Sequence, residues 1–127
     1  MDAFDPELST KPEVTIPRGK PPKQLETEDL VIGTGPKATK TSDVLVHYVG
    51  VAWSTREEFD SSWDDGAPVP FSLLRVVPGF QEGIAGMKVG GRRRITMPPD
   101  MGYADRPPPG IQPGETLVFV VDLHGVR

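Results

Sequence analysis

Four short segments hold most of the side chains suited to acting on a ligand. They are Phe59-Asp60-Ser61-Ser62, Val77-Pro78-Gly79-Phe80-Gln81-Glu82-Gly83, Met101-Gly102-Tyr103 and Pro109-Gly110-Ile111. Together they supply aromatic rings, branched aliphatics, a carboxylate at Asp60 and a phenol at Tyr103. They contain no pair of groups suited to nucleophilic attack and no metal cluster. Such a set predicts a small apolar pocket that works by shape and solvation rather than by covalent chemistry.

The chain around these segments is 127 residues long, enough for one domain with a tail. Its formal net charge of -4 argues against nucleic acid as the main partner and offers no basic footprint for an anionic membrane. There is no cysteine, and a zinc site would have to be built from only two histidines and carboxylates, so neither metal nor cofactor is expected. Met1-Asp2-Ala3-Phe4-Asp5 lacks the basic and apolar regions of a secretory signal, and no apolar run approaches bilayer length. A cytoplasmic monomer is the expectation.

Hydropathy periods divide the chain into a tail and a strand-rich domain. Residues 1–23 are rich in Pro, Lys, Glu and Asp and read as an extended N-terminal arm. The arm is either loosely draped or packed through Phe4, Val14 and Ile16. The domain is expected over residues 24–127. Leu25 to Ile32 is a weak strand. Asp43 to Ala52 is a strong one, with Val44, Val46 and Tyr48 on one face and Leu45, His47 and Val49 on the other. Val69 to Leu74, Arg92 to Met97 and Glu115 to Val126 complete about five strands. Phe80, Ile84 and Met87 form one stripe of a helix over Val77 to Gly90, with Pro78 in its first turn. Asp100 to Gly114 is a long loop, more often functional than incidental in so small a domain. The class is α+β, an antiparallel sheet folded around one short helix. The Arg92-Arg93-Arg94 run is read as a solvated outer face or as local ion pairs. His47 and His124 are read as solvated or hydrogen-bonded histidines, not ligands.

At this point the chain resembles the FKBP-type peptidyl-prolyl cis-trans isomerases, the tacrolimus-binding immunophilins. The likeness is carried by Val46-His47-Tyr48-Val49-Gly50, Phe59-Asp60-Ser61-Ser62, Val77 to Gly83, Met87-Lys88-Val89-Gly90, Pro99 to Tyr103, Pro109-Gly110-Ile111 and Thr116-Leu117-Val118-Phe119, in the family's order and spacing. It implies a bent antiparallel sheet wrapped around the helix, with the ligand pocket between them. Phe80 would be the floor under a proline ring. Tyr48, Phe59, Phe71 and Phe119 would be aromatic walls, and Val76 and Val77 would line the backbone entry. Ile111 would cap the pocket, with Asp60 and the Tyr103 hydroxyl as its polar edge. The implied activity is rotation about X-Pro bonds in folding proteins. The implied partners are prolyl peptides, unfolded clients and tacrolimus- or rapamycin-like macrolides. The arm's own Ile16-Pro17 is a candidate visitor to a neighbouring molecule's pocket.

Several positions depart from the family's usual pattern. Phe80 stands where the family usually carries Trp, which implies weaker ligand binding with the reaction kept. Val69 replaces an aromatic wall found in some members. Asp65 occupies a position that is often basic, so two acids share the neighbourhood of Asp60. Pro107-Pro108-Pro109 makes the long loop stiffer than the common glycine-containing version. The stiffer loop implies a narrower range of substrates, and Phe80, Val69 and Asp65 favour an alternative, a module on the same fold that binds proline segments or macrolides with little catalysis.

Overall fold

Strand β2 (Asp43–Ala52) is the axis of the molecule, because both of its faces are covered. The computed structural model describes residues 10–103 and 111–127. Phe4 and the Pro107-Pro108-Pro109 stretch lie outside the described residues. The other strands are β1 (Glu26–Val31), β3 (Glu58–Ser61), β4 (Val69–Ser72), β5 (Arg92–Met97) and β6 (Leu117–Val126). They form one six-stranded antiparallel sheet in the order β1-β5-β6-β2-β3, with β4 also paired to β2. The strand that periodicity did not single out is β3. Its four residues carry one apolar side chain, Phe59, too few to show an alternation.

The expected faces hold. Val44 and Val46 of β2 join Leu117, Phe119, Val121 and Leu123 of β6 and Ile95 and Met97 of β5 in one core. The helix α1 (Pro78–Ile84) lies across that core and contributes Phe80 and Ile84. It is half the length that the apolar stripe suggests. Ala85 turns extended, and Gly86 adopts a φ of 93°, open to glycine at little cost. The freed carbonyls of Gly83 and Ala85 accept hydrogen bonds from the Arg93 guanidinium at 2.9 and 3.2 Å. Met87 still reaches the core, but from the turn after the helix rather than from its stripe. Periodicity could not distinguish the two, since a turn can place the same side chain on the same face.

The outer face of β2 and β6 carries a second apolar cluster, of Val49, Val51, Val118 and Ile16, with Val14, Trp53 and Trp63 packed against it. The arm is therefore packed over the described residues, through Val14 and Ile16. Lys11 bridges Glu58 at 2.9 Å and Asp64 at 3.4 Å. Arg92 and Arg56 donate to the carbonyls of Thr10 and Ile16 at 3.0 and 3.3 Å. Ile16 is buried on its own domain, which removes the reason to expect Ile16-Pro17 in a neighbour's pocket. Ile16→Ala is expected to cost about 2 kcal/mol, read as a lower urea midpoint, while ligand affinity stays unchanged. A rise in affinity on that change would show that the arm competes for the pocket after all.

Two of the three arginines in the run form ion pairs. Arg92 grips Asp122 through two hydrogen bonds of 2.6 and 2.8 Å. Arg93 pairs with its cross-strand partner Asp29 at 2.7 Å.

Candidate functional site

Between the sheet and the N-terminal end of α1 lies a cavity of about 310 Å³. Its walls come from separate elements. Tyr48 is on β2, Phe59 and Asp60 on β3, Phe71 on β4 and Phe119 on β6. Val76, Val77 and Phe80 come from the entry and first turn of α1, and Tyr103 from the loop after β5. Phe80 is the hub of the rings. Its centroid lies 4.8 Å from Phe119, 6.1 Å from Phe71 and 6.2 Å from Tyr48, each in an edge-on arrangement. Such contacts suit the positive edge of one ring and the negative face of the next. Phe59 closes the far wall edge-on to Phe119 at 5.5 Å. That contact needs Gly50, since a Cβ there would sit 2.7 Å from both Phe59 and Phe119.

The polar edge is compact. The Tyr48 hydroxyl donates to Asp60 at 2.9 Å, and the other Asp60 oxygen accepts the Ser61 N–H at 2.9 Å. Burial raises the Tyr48 pKa far above that of free tyrosine, and the hydrogen bond to Asp60 adds to the effect, with Asp65 a smaller contributor. Tyr103 is raised as well, first by burial and then by the charge of Asp60. Both phenols are therefore protonated donors throughout the neutral range. Among the described residues the chamber is apolar with one polar rim and carries no Ser, Thr, Cys, Lys or His, which suits a reaction that turns a bond rather than breaks one.

The FKBP-type peptidyl-prolyl cis-trans isomerase profile matches residues 35–124. The chain belongs to the FKBP-type peptidyl-prolyl cis-trans isomerases. An FK506-binding protein of Streptomyces anulatus is 51% identical over 120 residues, covering 91% of this chain and 97% of its own. An FK506-binding protein of Neisseria meningitidis is 43% identical over 103 residues, covering 78% and 93% respectively. Among solved structures, FkpA from Escherichia coli superposes with a TM-score of 0.76 at 36% identity, covering 81% of this chain and 48% of FkpA. The isomerase thus spans about half the length of FkpA and nearly all of the Streptomyces protein.

Of the residues singled out from the sequence, Tyr48, Phe59, Asp60, Phe71, Val76, Val77, Phe80, Tyr103 and Phe119 line the cavity just described. Ile111 does not. It is buried in the main core, directly after residues 104–110, which lie outside the described residues. Sequence reasoning missed Arg75, which lines the mouth of the cavity. The only signal for it is a cation directly before the paired valines, and nothing local shows which way it faces. Among the described residues no group of three His, Asp or Glu side chains could hold a metal, and no helix is long and apolar enough to cross a membrane.

Behind the pocket, His47, Ser62 and Asp122 have the composition of a hydrolytic triad but not its layout. Ser62 is 1% exposed, and its hydroxyl oxygen accepts the Tyr48 N–H at 2.7 Å. Asp122 is committed to Arg92. Burial lowers the His47 pKa below 6.5, helped by His124 and opposed by Asp122. Below 6.5 the unfolded chain then binds the proton more readily than the folded one, so stability falls as pH drops toward the folded value and is unaffected above 6.5. The melting temperature should decline over that range, and His47→Asn should make the decline shallower. Parallel profiles for the two proteins would contradict this.

Proposed function

We propose that the Phe80 cavity is where this isomerase turns its X-Pro bond, and that it acts by desolvation and shape. The proline ring would rest on Phe80 between Tyr48, Phe59, Phe71 and Phe119, with Val76 and Val77 beside the incoming backbone. Ile111 would support the rim from the core side. Rotation about the amide is slow because partial double-bond character sets a barrier of about 20 kcal/mol. The planar amide is the more polar state, since its resonance separates charge. A dry, ring-lined chamber therefore disfavours the planar form relative to the twisted one. The Tyr103 hydroxyl would hold a carbonyl of the turned bond, and Asp60 would fix the polar rim through Tyr48. The convergence of six rings from four strands, the helix and the loop after β5 on one cavity is the observation that supports this reading.

Tacrolimus- or rapamycin-like macrolides would occupy the same chamber, in keeping with the names of the FK506-binding relatives. Prolyl segments of unfolded client proteins in the cytoplasm are the proposed natural substrates. The test is an isomerisation assay on a short peptide with an apolar residue before proline, with a macrolide competitor. Tyr103→Phe should lower kcat/KM about tenfold, a loss of about 1.4 kcal/mol in transition-state binding. Wild-type kinetics in that variant would remove the phenol from the mechanism, and activity unaffected by saturating macrolide would move the reaction out of this cavity.

A further inference from the structure

We propose that His47 and Ser62 form a hydrogen-bonded support behind the sheet that positions Tyr48 and, through its phenol, Asp60. This rests on the reading of Tyr48 and Asp60 as pocket groups.

The need for a support comes from the strand pairing. The edge of β2 is shared between two short strands. Strand β4 pairs with Asp43 to Val46, and β3 pairs with Val49 to Val51. His47 and Tyr48 fall in the gap between them. Tyr48 carries the phenol, yet neither strand closes its backbone edge through the regular ladder. Ser62, the first residue past β3, closes it instead. Its N–H donates to the Tyr48 carbonyl at 3.0 Å, and its hydroxyl oxygen accepts the Tyr48 N–H at 2.7 Å. One residue thus holds both backbone groups of Tyr48.

That arrangement works only if the Ser62 hydroxyl proton points elsewhere. Ser62 is almost fully buried, so the proton must find a protein partner. Two acceptors are in reach, the Tyr48 carbonyl at 3.3 Å, which already takes the Ser62 N–H, and His47 Nδ1 at 2.8 Å, which makes the shorter bond when the ring is neutral and protonated on Nε2. The imidazole is held in turn. It stacks on Trp63 with centroids 4.0 Å apart and planes 12° apart, and it meets His124 edge-on at 5.5 Å. Burial favours the neutral ring this role needs. Adjacent strand residues point to opposite faces. His47 behind the sheet therefore fixes a hydroxyl that fixes the backbone of a side chain in front of it.

The support also sets a distance. Ser62 follows Asp60 by two residues, and the Tyr48 phenol donates to Asp60 at 2.9 Å. Ser62 and Asp60 grip the same tyrosine at its two ends, backbone and hydroxyl. Loosening the first lets the second drift, and displacements of about an ångström at a reacting group can cost up to a hundredfold in rate.

The test uses the full chain carrying [13Cζ]tyrosine. It holds two tyrosines, so two lines are expected, and Tyr48→Phe assigns them. Ser62→Ala removes the hydroxyl. His47→Phe keeps a ring against Trp63 but removes Nδ1, and His47→Asn keeps a polar atom near the Nδ1 position. In Ser62→Ala and His47→Phe the Tyr48 line should shift at pH 7 and kcat should fall about three- to tenfold with KM changed less. His47→Asn should restore most of both. Should Ser62→Ala fail to fold, the two His47 variants carry the same comparison. An unmoved Tyr48 line in folded Ser62→Ala and His47→Phe overturns the proposal. So does a loss of activity that His47→Asn does not repair. If the line moves as expected while Tyr48→Phe keeps wild-type kinetics, the support stands and the pocket reading of Tyr48 fails.

Discussion

Phe80→Ala is expected to lower kcat/KM about a hundredfold, equivalent to about 2.7 kcal/mol of transition-state stabilisation, and to destabilise the fold by about 3–5 kcal/mol. The two losses share one cause. Phe80 is 7% exposed and touches Phe119, Phe71 and Tyr48 edge-on, so its removal takes the floor from the cavity and a hub from the core. Water would then reach the bound amide and solvate its planar form, which removes the proposed advantage. Phe80→Leu separates the effects. It keeps most of the buried volume and should recover most of the stability, but it lacks the flat face on which a pyrrolidine ring rests, so the rate should stay well below wild type. Denaturant unfolding beside the peptide assay measures both. A Phe80→Ala protein that melts early yet turns over normally would mean that Phe80 is core alone. The family's usual Trp gives a converse arm. Phe80→Trp adds ring area and an N–H donor and should tighten macrolide binding about tenfold, or about 1.4 kcal/mol.

Arg92→Leu is expected to cost about 3–5 kcal/mol, because it leaves a buried carboxylate without its counter-charge. Asp122 is 1% exposed in the middle of β6 and faces Arg92 on one side and His47 on the other in register. The Arg92 side chain is 11% exposed, so water replaces little of what the substitution removes. Asp122→Leu alone should also destabilise, since it strands the guanidinium, though Arg92 keeps its bond to the Thr10 carbonyl. The double change Arg92→Leu with Asp122→Leu should recover most of the loss, as an apolar pair of similar volume can replace a buried ion pair. Urea unfolding of the four proteins closes the cycle. Additive losses, with the double variant the least stable, would show that the pair contributes nothing as a pair. Kinetics should change little in the double variant, since Asp122 bonds Arg92 rather than a pocket residue and its loss leaves the His47–Ser62 contact in place.

How much of this was legible beforehand differs from element to element. Val44, Val46 and Tyr48 on one face of β2, and Leu117, Phe119, Val121 and Leu123 on one face of β6, follow from alternation alone. The core matches because a two-residue period leaves little freedom in which side chains point together. Phe59, Phe80 and Tyr103 stood out in short segments of the chain, Tyr48, Phe71 and Phe119 were implied by the resemblance, and the cavity collects all six. The length of α1 was not legible. A stripe through Phe80, Ile84 and Met87 fits a helix continuing past Gly86 as well as one ending before it. The carbonyl caps from Arg93 that favour the shorter form come from another strand.

Within this chain, residue order therefore determined the strand faces and the apolar character of the pocket, because each is a property of neighbours within a few positions, while the identity of its rings came from the resemblance to the family. The fold alone decided what lies against the second face of the sheet, that Arg92 belongs to Asp122, that Arg75 reaches the cavity mouth and that Ser62 closes the backbone of Tyr48. Those are pairings between residues far apart or in irregular backbone. Their free energy arises only when the chain has brought the groups into contact and out of water, and no local pattern encodes it.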